Sequence, residues 1–138
     1  MKNLTTAIFA KCAIGTSLYT AIGGRIYKGR APARAAYPYV VYLIVSNSPE
    51  KTFSENFENT IIQFSLFSSA SGSTEVEDMY TYLNALYDEC ALTVTGSTWV
   101  WMKWANSILM LEEHATTLGG TIEVWHYAVD YDVKTQLA

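Results

Sequence analysis

Charge is what this chain has least of. Lysine, arginine, aspartate and glutamate make up 16% of its 138 residues, against roughly 25% in an ordinary domain. With 9 basic and 13 acidic groups, the net charge is −4, and no basic footprint exists that would grip a phosphate backbone along its length. Two cysteines cannot build a disulfide framework, and neither stands in a CxxC or Cys/His pattern suited to a metal. Cys12 and Cys90 fall on the apolar faces of expected helices, where a free thiol packs as a small hydrophobe. Also missing are a GxSxG elbow, a GxxxxGK(S/T) phosphate loop and a GxGxxG fingerprint. No apolar run approaches the ~18 residues that read as a membrane-spanning helix. The opening MKNLTTAIFAKCAIGTSLYTAIGG imitates a signal peptide, but Lys11 cuts its apolar run short. The expectation is a soluble protein made in the cytoplasm.

What is abundant is apolar and aromatic. Half of the residues are apolar, 14% are aromatic, and tyrosine alone occurs ten times. Such a chain is expected to fold as one domain over residues 1–138, with a core that needs no disulfide or metal. Few charges are available to cover its surface, so aromatic and apolar patches are expected to lie exposed, as at an interface.

Hydrophobic periodicity sets the elements. Residues 4–21 read as a helix with Asn3 as N-cap, a stripe of Leu4, Ile8, Cys12 and Leu18, and a stop at Gly23 and Gly24. A short strand over 25–28, a loop stiffened by Pro32 and a strand opened by Pro38 follow. That strand, 38–46, is apolar almost throughout (YVVYLIV) and reads as buried on both faces. SNSPEKTFSEN, residues 46–56, reads as an exposed and mobile connection. Alternation of Ile62, Phe64 and Leu66 marks a half-buried strand over 57–68. Thr74 and Glu77 suggest a capping box for a second helix reaching residue 90. A short strand over 91–95 and long strands over 98–112 and 121–133, the last two joined near Gly119 and Gly120, complete the order αβββαβββ. This is an α+β fold, a mainly antiparallel or mixed sheet with two helices packed on it.

Chemistry-bearing residues are sparse. His114 and His126 flank the glycine turn on paired strands, close enough to meet each other and Glu112 or Glu123. That is the one place for an acid/base or metal site; against it, the two histidines lack a fixed helical spacing, and an exposed His114 beside a packed His126 is the plainer reading. Glu77/Asp78, Asp88/Glu89 and Glu112/Glu113 are sequence neighbours that do not face each other, and read as solvated charge. Trp99 and Trp101 are expected on one strand face, with Trp104 nearby, where they serve either a stacking platform or packing in a core or subunit interface. Arg25, Lys28, Arg30 and Arg34 hold four of the nine basic groups within ten residues. Pairing with acidic groups of a partner suits them better than nucleic acid, given the overall charge.

The order of these pieces carries a resemblance. A helix, GGRIY, the Pro-containing APARAAYPYVVY, the strand IIQFSLFSSA, the helix VEDMYTYLNALYD and the closing EVWHYAVDYDV together resemble the tail completion proteins of long-tailed bacteriophages and prophages, also called tail terminators or tail-to-head joining proteins. The likeness spans about Leu4 to Lys134. It implies a structural virion protein, not an enzyme, with no cofactor and no metal. It further implies a hexameric ring at the head-proximal end of the tail, contacts to the tail-tube protein and the head connector, and DNA only in transit through the channel. The chain departs from the commoner pattern in its tryptophans between 99 and 104 and its acidic balance. On this reading the subunit and partner contacts are expected at Arg30, Arg34, Tyr37, Ser48, Glu50, Lys51, Phe53, Trp99 and Trp101. The alternative is a small α+β enzyme or ligand-binding domain with an aromatic pocket lined by Trp101, Trp125 and His126.

Overall fold

The computed structural model describes residues 2–116 and 118–137. Three helices and five strands follow in the order α1 (Lys2–Lys11), α2 (Ser17–Ile22), β1 (Ile26–Lys28), β2 (Tyr39–Lys51), β3 (Asn56–Ser68), α3 (Thr74–Tyr87), β4 (Ser97–Ala115) and β5 (Thr121–Leu137). The strands form one sheet in the order β1-β2-β3-β5-β4. Only the β1–β2 pair is parallel; the other three are antiparallel. The α+β class and the mixed, mainly antiparallel sheet are those expected.

Several details differ from expectation, each for a local reason. The single helix over 4–21 is two. The chain turns at Gly15, whose φ of +99° suits glycine, and Thr16 restarts it as N-cap, its side-chain oxygen accepting from the Tyr19 amide at 3.2 Å. Asn3 lies inside α1, not at its cap, and its amide donates to the Thr95 carbonyl at 2.9 Å. Thr74 and Glu77 form no capping box: Ser73 is the N-cap, and no side-chain bond closes it. Cys12 and Cys90 sit just beyond the ends of α1 and α3 and are not within helices; Cys12 is buried, and both are free thiols. Residues 91–95 form no strand, while β4 and β5 run to Ala115 and Leu137.

The largest correction concerns 46–56. No mobile connection is found there. β2 continues to Lys51 and pairs with β3 from Asn56 onward, residue by residue from Ser46↔Ile61 to Lys51↔Asn56. Thr52 closes the turn, its amide and hydroxyl both bonding to the Glu55 carbonyl. Backbone pairing carries this stretch, so its polar side chains do not prevent strand formation. Chymotrypsin should therefore cut the folded protein at the fully exposed Phe53 and leave the flanks at 46–51 and 56–60 whole. Cleavage spread across the flanks would contradict the paired hairpin.

The helices cover one face of the sheet. Val40 and Tyr42 of β2, Ile62, Phe64 and Leu66 of β3, and Val129, Tyr131 and Val133 of β5 point to them and are buried. Leu4, Ile8, Leu18, Ile22, Val76, Met79 and Leu83 close the core from above. Buried tyrosines keep their hydroxyls paired: Tyr87 donates to the Ile8 carbonyl at 2.7 Å and Tyr131 to Asn84 Oδ1 at 2.9 Å. Burial pushes both phenols well above their ordinary pKa. Burial likewise raises the Cys12 thiol, partly offset by a hydrogen bond with Thr16. Cys12 should thus react with a thiol reagent only at the rate at which the protein unfolds.

A candidate assembly surface

Two groups of polar and aromatic side chains lie on the other sheet face, and several of the residues selected from the sequence fall in or beside them. Near the β1–β2 loop, Glu112 and His114 lie two apart on β4 and so share a face, and His126 on β5 is diagonal to Glu112 because it pairs with Met110. The carboxylate of Glu112 accepts from both rings: His114 Nε2 at 3.0 Å and His126 Nδ1 at 2.9 Å. With its Nε2–H given to Glu112, a neutral His114 has only a lone pair left on Nδ1. The Tyr37 hydroxyl, 2.9 Å away, is then the donor. His126 stacks on Phe67 at 4.4 Å between centroids, and Tyr39 packs on Phe67 at 5.0 Å and on Tyr37 at 5.1 Å. Burial, then the neighbouring Tyr37, push the Tyr39 phenol up to about 12.

This network clamps the loop onto the sheet. The histidines do meet, through Glu112, so His114 is not the free strand-end group expected. Burial raises the Glu112 carboxyl, but hydrogen bonds from His126 and His114 outweigh it and leave the pKa lowered. A carboxyl depressed in the folded state stabilises above its unfolded value, near 4.5, and loses that contribution as pH falls through the folded value. The melting-temperature gap between the unmodified protein and Glu112→Gln should therefore be present at neutral pH and close in acid. It should be small, because a third of the Glu112 side chain is exposed. A gap that widens below the carboxylate range would refute this pairing.

The second group lies at the hairpin end. Ser48, Asn59, Lys134 and Trp101 occupy one row across the sheet. Lys134 Nζ lies 3.1 Å from Glu50 Oε2, and also 4.7 Å from the Phe57 ring centroid and 5.1 Å from that of Trp101. Asn59 donates to the same Glu50 oxygen at 2.8 Å, and these bonds lower the Glu50 pKa. Trp99 is not beside Trp101. A bulge at Val100 shifts the register, so Trp99 pairs with Thr135 and Trp101 with Lys134, on opposite faces. Trp99 packs on the core, its indole donating to the Cys90 carbonyl at 3.1 Å. Lys51 and Phe53 are exposed near the tip, Arg30 and Arg34 on the β1–β2 loop.

The basic cluster divides. Arg25 is structural: it donates to the Pro38 carbonyl at 3.0 Å and to the Tyr37 carbonyl at 3.2 Å. Arg30 and Arg34 make no salt bridge among the described residues. Sequence reasoning missed Lys134, Asn59, Tyr39 and Phe67, whose roles depend on cross-strand register. Nor do Trp101, Trp125 and His126 line one pocket: Trp101 lies at the hairpin end, His126 at the loop end, and Trp125 on the helix side. The concavity at Trp101, about 220 Å³, is lined by Ser46, Ser48, Asn59, Thr60, Ile61, Asp132 and Val133, with no histidine. Among the described residues no group of three or more His, Cys, Asp or Glu is placed to hold a metal ion.

A five-stranded mixed sheet with helices on one face and a tied-down loop on the other defines a small α+β protein. One solved chain with this fold, from a structure described as "Virion of native gene transfer agent (GTA) particle", superposes with a TM-score of 0.74 over 96% of this chain and 94% of that one, at 10% identity. A second solved chain covers the same shares at 14% identity with a TM-score of 0.54. The profile of the family "Tail completion protein gp17" matches residues 6–130. The chain belongs to that tail completion family, and it is a structural protein of a bacteriophage-type virion tail. No curated protein matches it.

Proposed function

We propose that this protein acts at the head-proximal end of the tail, where a hexameric ring of copies ends tail-tube polymerisation and joins the tail to the head connector. The observation that carries the reading is the family match over residues 6–130, and a fold shared with a chain of a virion supports it. On this reading the protein works by assembly and not by catalysis, as one domain, with other copies, the tail-tube protein and the connector as partners. DNA passes only in transit. Arg30, Arg34 and Tyr37 on one loop and Ser48, Glu50, Lys51, Phe53 and Trp101 on the hairpin are the contacts proposed, with Trp99 supporting Trp101 through the bulge between them. Their placement at opposite ends of the sheet suits a subunit that touches more than one neighbour.

Removing the gene from a producing strain tests the reading. Tails should grow abnormally long and stay unattached to filled heads, and the purified protein should restore joining. Tails of normal length on the heads would exclude it.

A further inference from the structure

The sheet ends on two open edges, and both belong to long strands. β4 is outermost on one side along all its 19 residues, and near its start the Glu89 amide and the Asp88 carboxylate already bond its Met102 carbonyl and Trp104 amide. On the other side β1 flanks β2 only at Val40, Val41 and Tyr42, so from Leu43 to Lys51 the outer edge of β2 is unpaired among the described residues. Unpaired edges are templates for further strands, and soluble proteins blunt them with bulges, proline or charge. β4 is blunted at its start, by register breaks at Val100 and Ala105 and by Lys103. From Asn106 to Leu111 (NSILML) no break, proline or charge occurs, and Ile108, Leu109 and Leu111 are exposed. β2 is blunted at its far end by Pro49, Glu50 and Lys51, whereas Leu43 to Ser48 (LIVSNS) carries no charge and exposes Leu43 and Val45.

Strand direction says what fits. β1 and β2 run together, β3 runs against β2, β5 against β3, and β4 against β5. β4 therefore points opposite to β2. When two copies lie side by side in one orientation, β4 of the first meets β2 of the second antiparallel, the commoner and more stable pairing. A foreign strand would satisfy one edge. A second copy supplies the complement of each, and repeating the contact closes a ring when the rotation allows.

We propose that copies of this protein join edge to edge, with Asn106–Met110 of β4 pairing antiparallel with Leu43–Ser48 of β2 in the next copy. This deepens the ring reading above and rests on it for its setting. The faces agree. Ser46 shares a sheet row with Lys103 and Ile108 shares one with Val41, so both Ser46 and Ile108 point away from the helices. The bulge at Val45 absorbs the one extra residue on β2, setting Leu43 opposite Met110, Ile44 opposite Leu109 and Ser48 opposite Asn106. Leu43 shares its own row with Asn106, so the pairing needs a stagger of roughly four residues, ~13 Å, and strands in closing sheets stagger in this way.

Cysteine trapping tests it. Ser46 and Ile108 are both exposed, so Ser46→Cys and Ile108→Cys should leave the fold unchanged, checked by circular dichroism. Oxidised in assembled particles and in concentrated solution, the double variant should give a ladder of cross-linked multimers in at least the particles. A mixture of the two single variants should stop at dimers, and neither single variant should cross-link alone. A dimer from Ile108→Cys alone would mean β4 pairs with β4, overturning the proposal. Oligomers seen by light scattering or in particles without any ladder would mean that copies meet elsewhere, which overturns edge pairing and leaves the ring reading standing. Absence of oligomers even in particles would overturn both.

Discussion

Phe64→Ala is expected to destabilise the protein by about 3–5 kcal/mol, the usual cost of deleting a buried aromatic ring. Phe64 is fully buried in the middle of β3. Its ring lies 4.7 Å from that of Tyr87, 5.7 Å from that of Tyr131 and 5.9 Å from that of Tyr42. Tyr42 and Tyr131 hold α1 and α3 to the sheet, their hydroxyls donating to the Thr5 carbonyl and to Asn84 Oδ1, and Tyr87 of α3 ties the two helices together by donating to the Ile8 carbonyl. Removing the ring leaves a cavity where residues of three strands and two helices come together, and the paired hydroxyls resist the collapse that would fill it. Phe64→Leu fills most of the volume and should cost less. Urea denaturation reads the difference as a lower midpoint at unchanged slope. A loss of less than about 1 kcal/mol for Phe64→Ala would show that the core relaxes around this site, against the packing described.

That cluster was legible in the sequence and much around it was not. Alternation of Ile62, Phe64 and Leu66 announced both the strand and its buried face, and the helical period from Val76 announced α3 while carrying it on to Cys90, three residues past its end at Tyr87. Hydrophobic pattern failed where backbone alone decides. Residues 46–51 are solvated on most sides, so nothing in their side chains alternates, although every residue from Ser46 to Lys51 pairs with β3. The break between α1 and α2 was hidden because Leu4, Ile8, Cys12 and Leu18 keep the phase of one helix while Gly15 turns the chain.

The surface was harder still. Glu112, His114 and His126 could be foreseen as neighbours from the glycine turn, but the clamp they form with Tyr37 depends on exact partners across two strands. A one-residue slip would have sent each side chain to the other face. The bulge at Val100 made such a slip, which separated Trp99 from Trp101. A bulge leaves no mark in composition or spacing.

The double variant Arg30→Glu/Arg34→Glu is expected to fold normally and to abolish tail joining. Both residues are exposed, and neither has an ion pair among the described residues, so their reversal breaks no ion pair there. Arg25 is the internal control. Its guanidinium holds the Tyr37 and Pro38 carbonyls, so Arg25→Ala should lower the melting temperature, an effect the double variant should lack. If Arg30 and Arg34 face acidic groups of a neighbouring subunit, two charge reversals replace attraction with repulsion, and like-charge juxtaposition at an interface costs several kcal/mol. At that cost the complex fails at working concentrations, and electron microscopy should show abnormally long, headless tails. A grip on nucleic acid predicts something else: tight binding of the unmodified protein to duplex DNA, falling steeply with salt, lost in the variant while tails keep their length. The net charge of −4, with Arg25 already committed inside the fold, makes the first outcome the expected one.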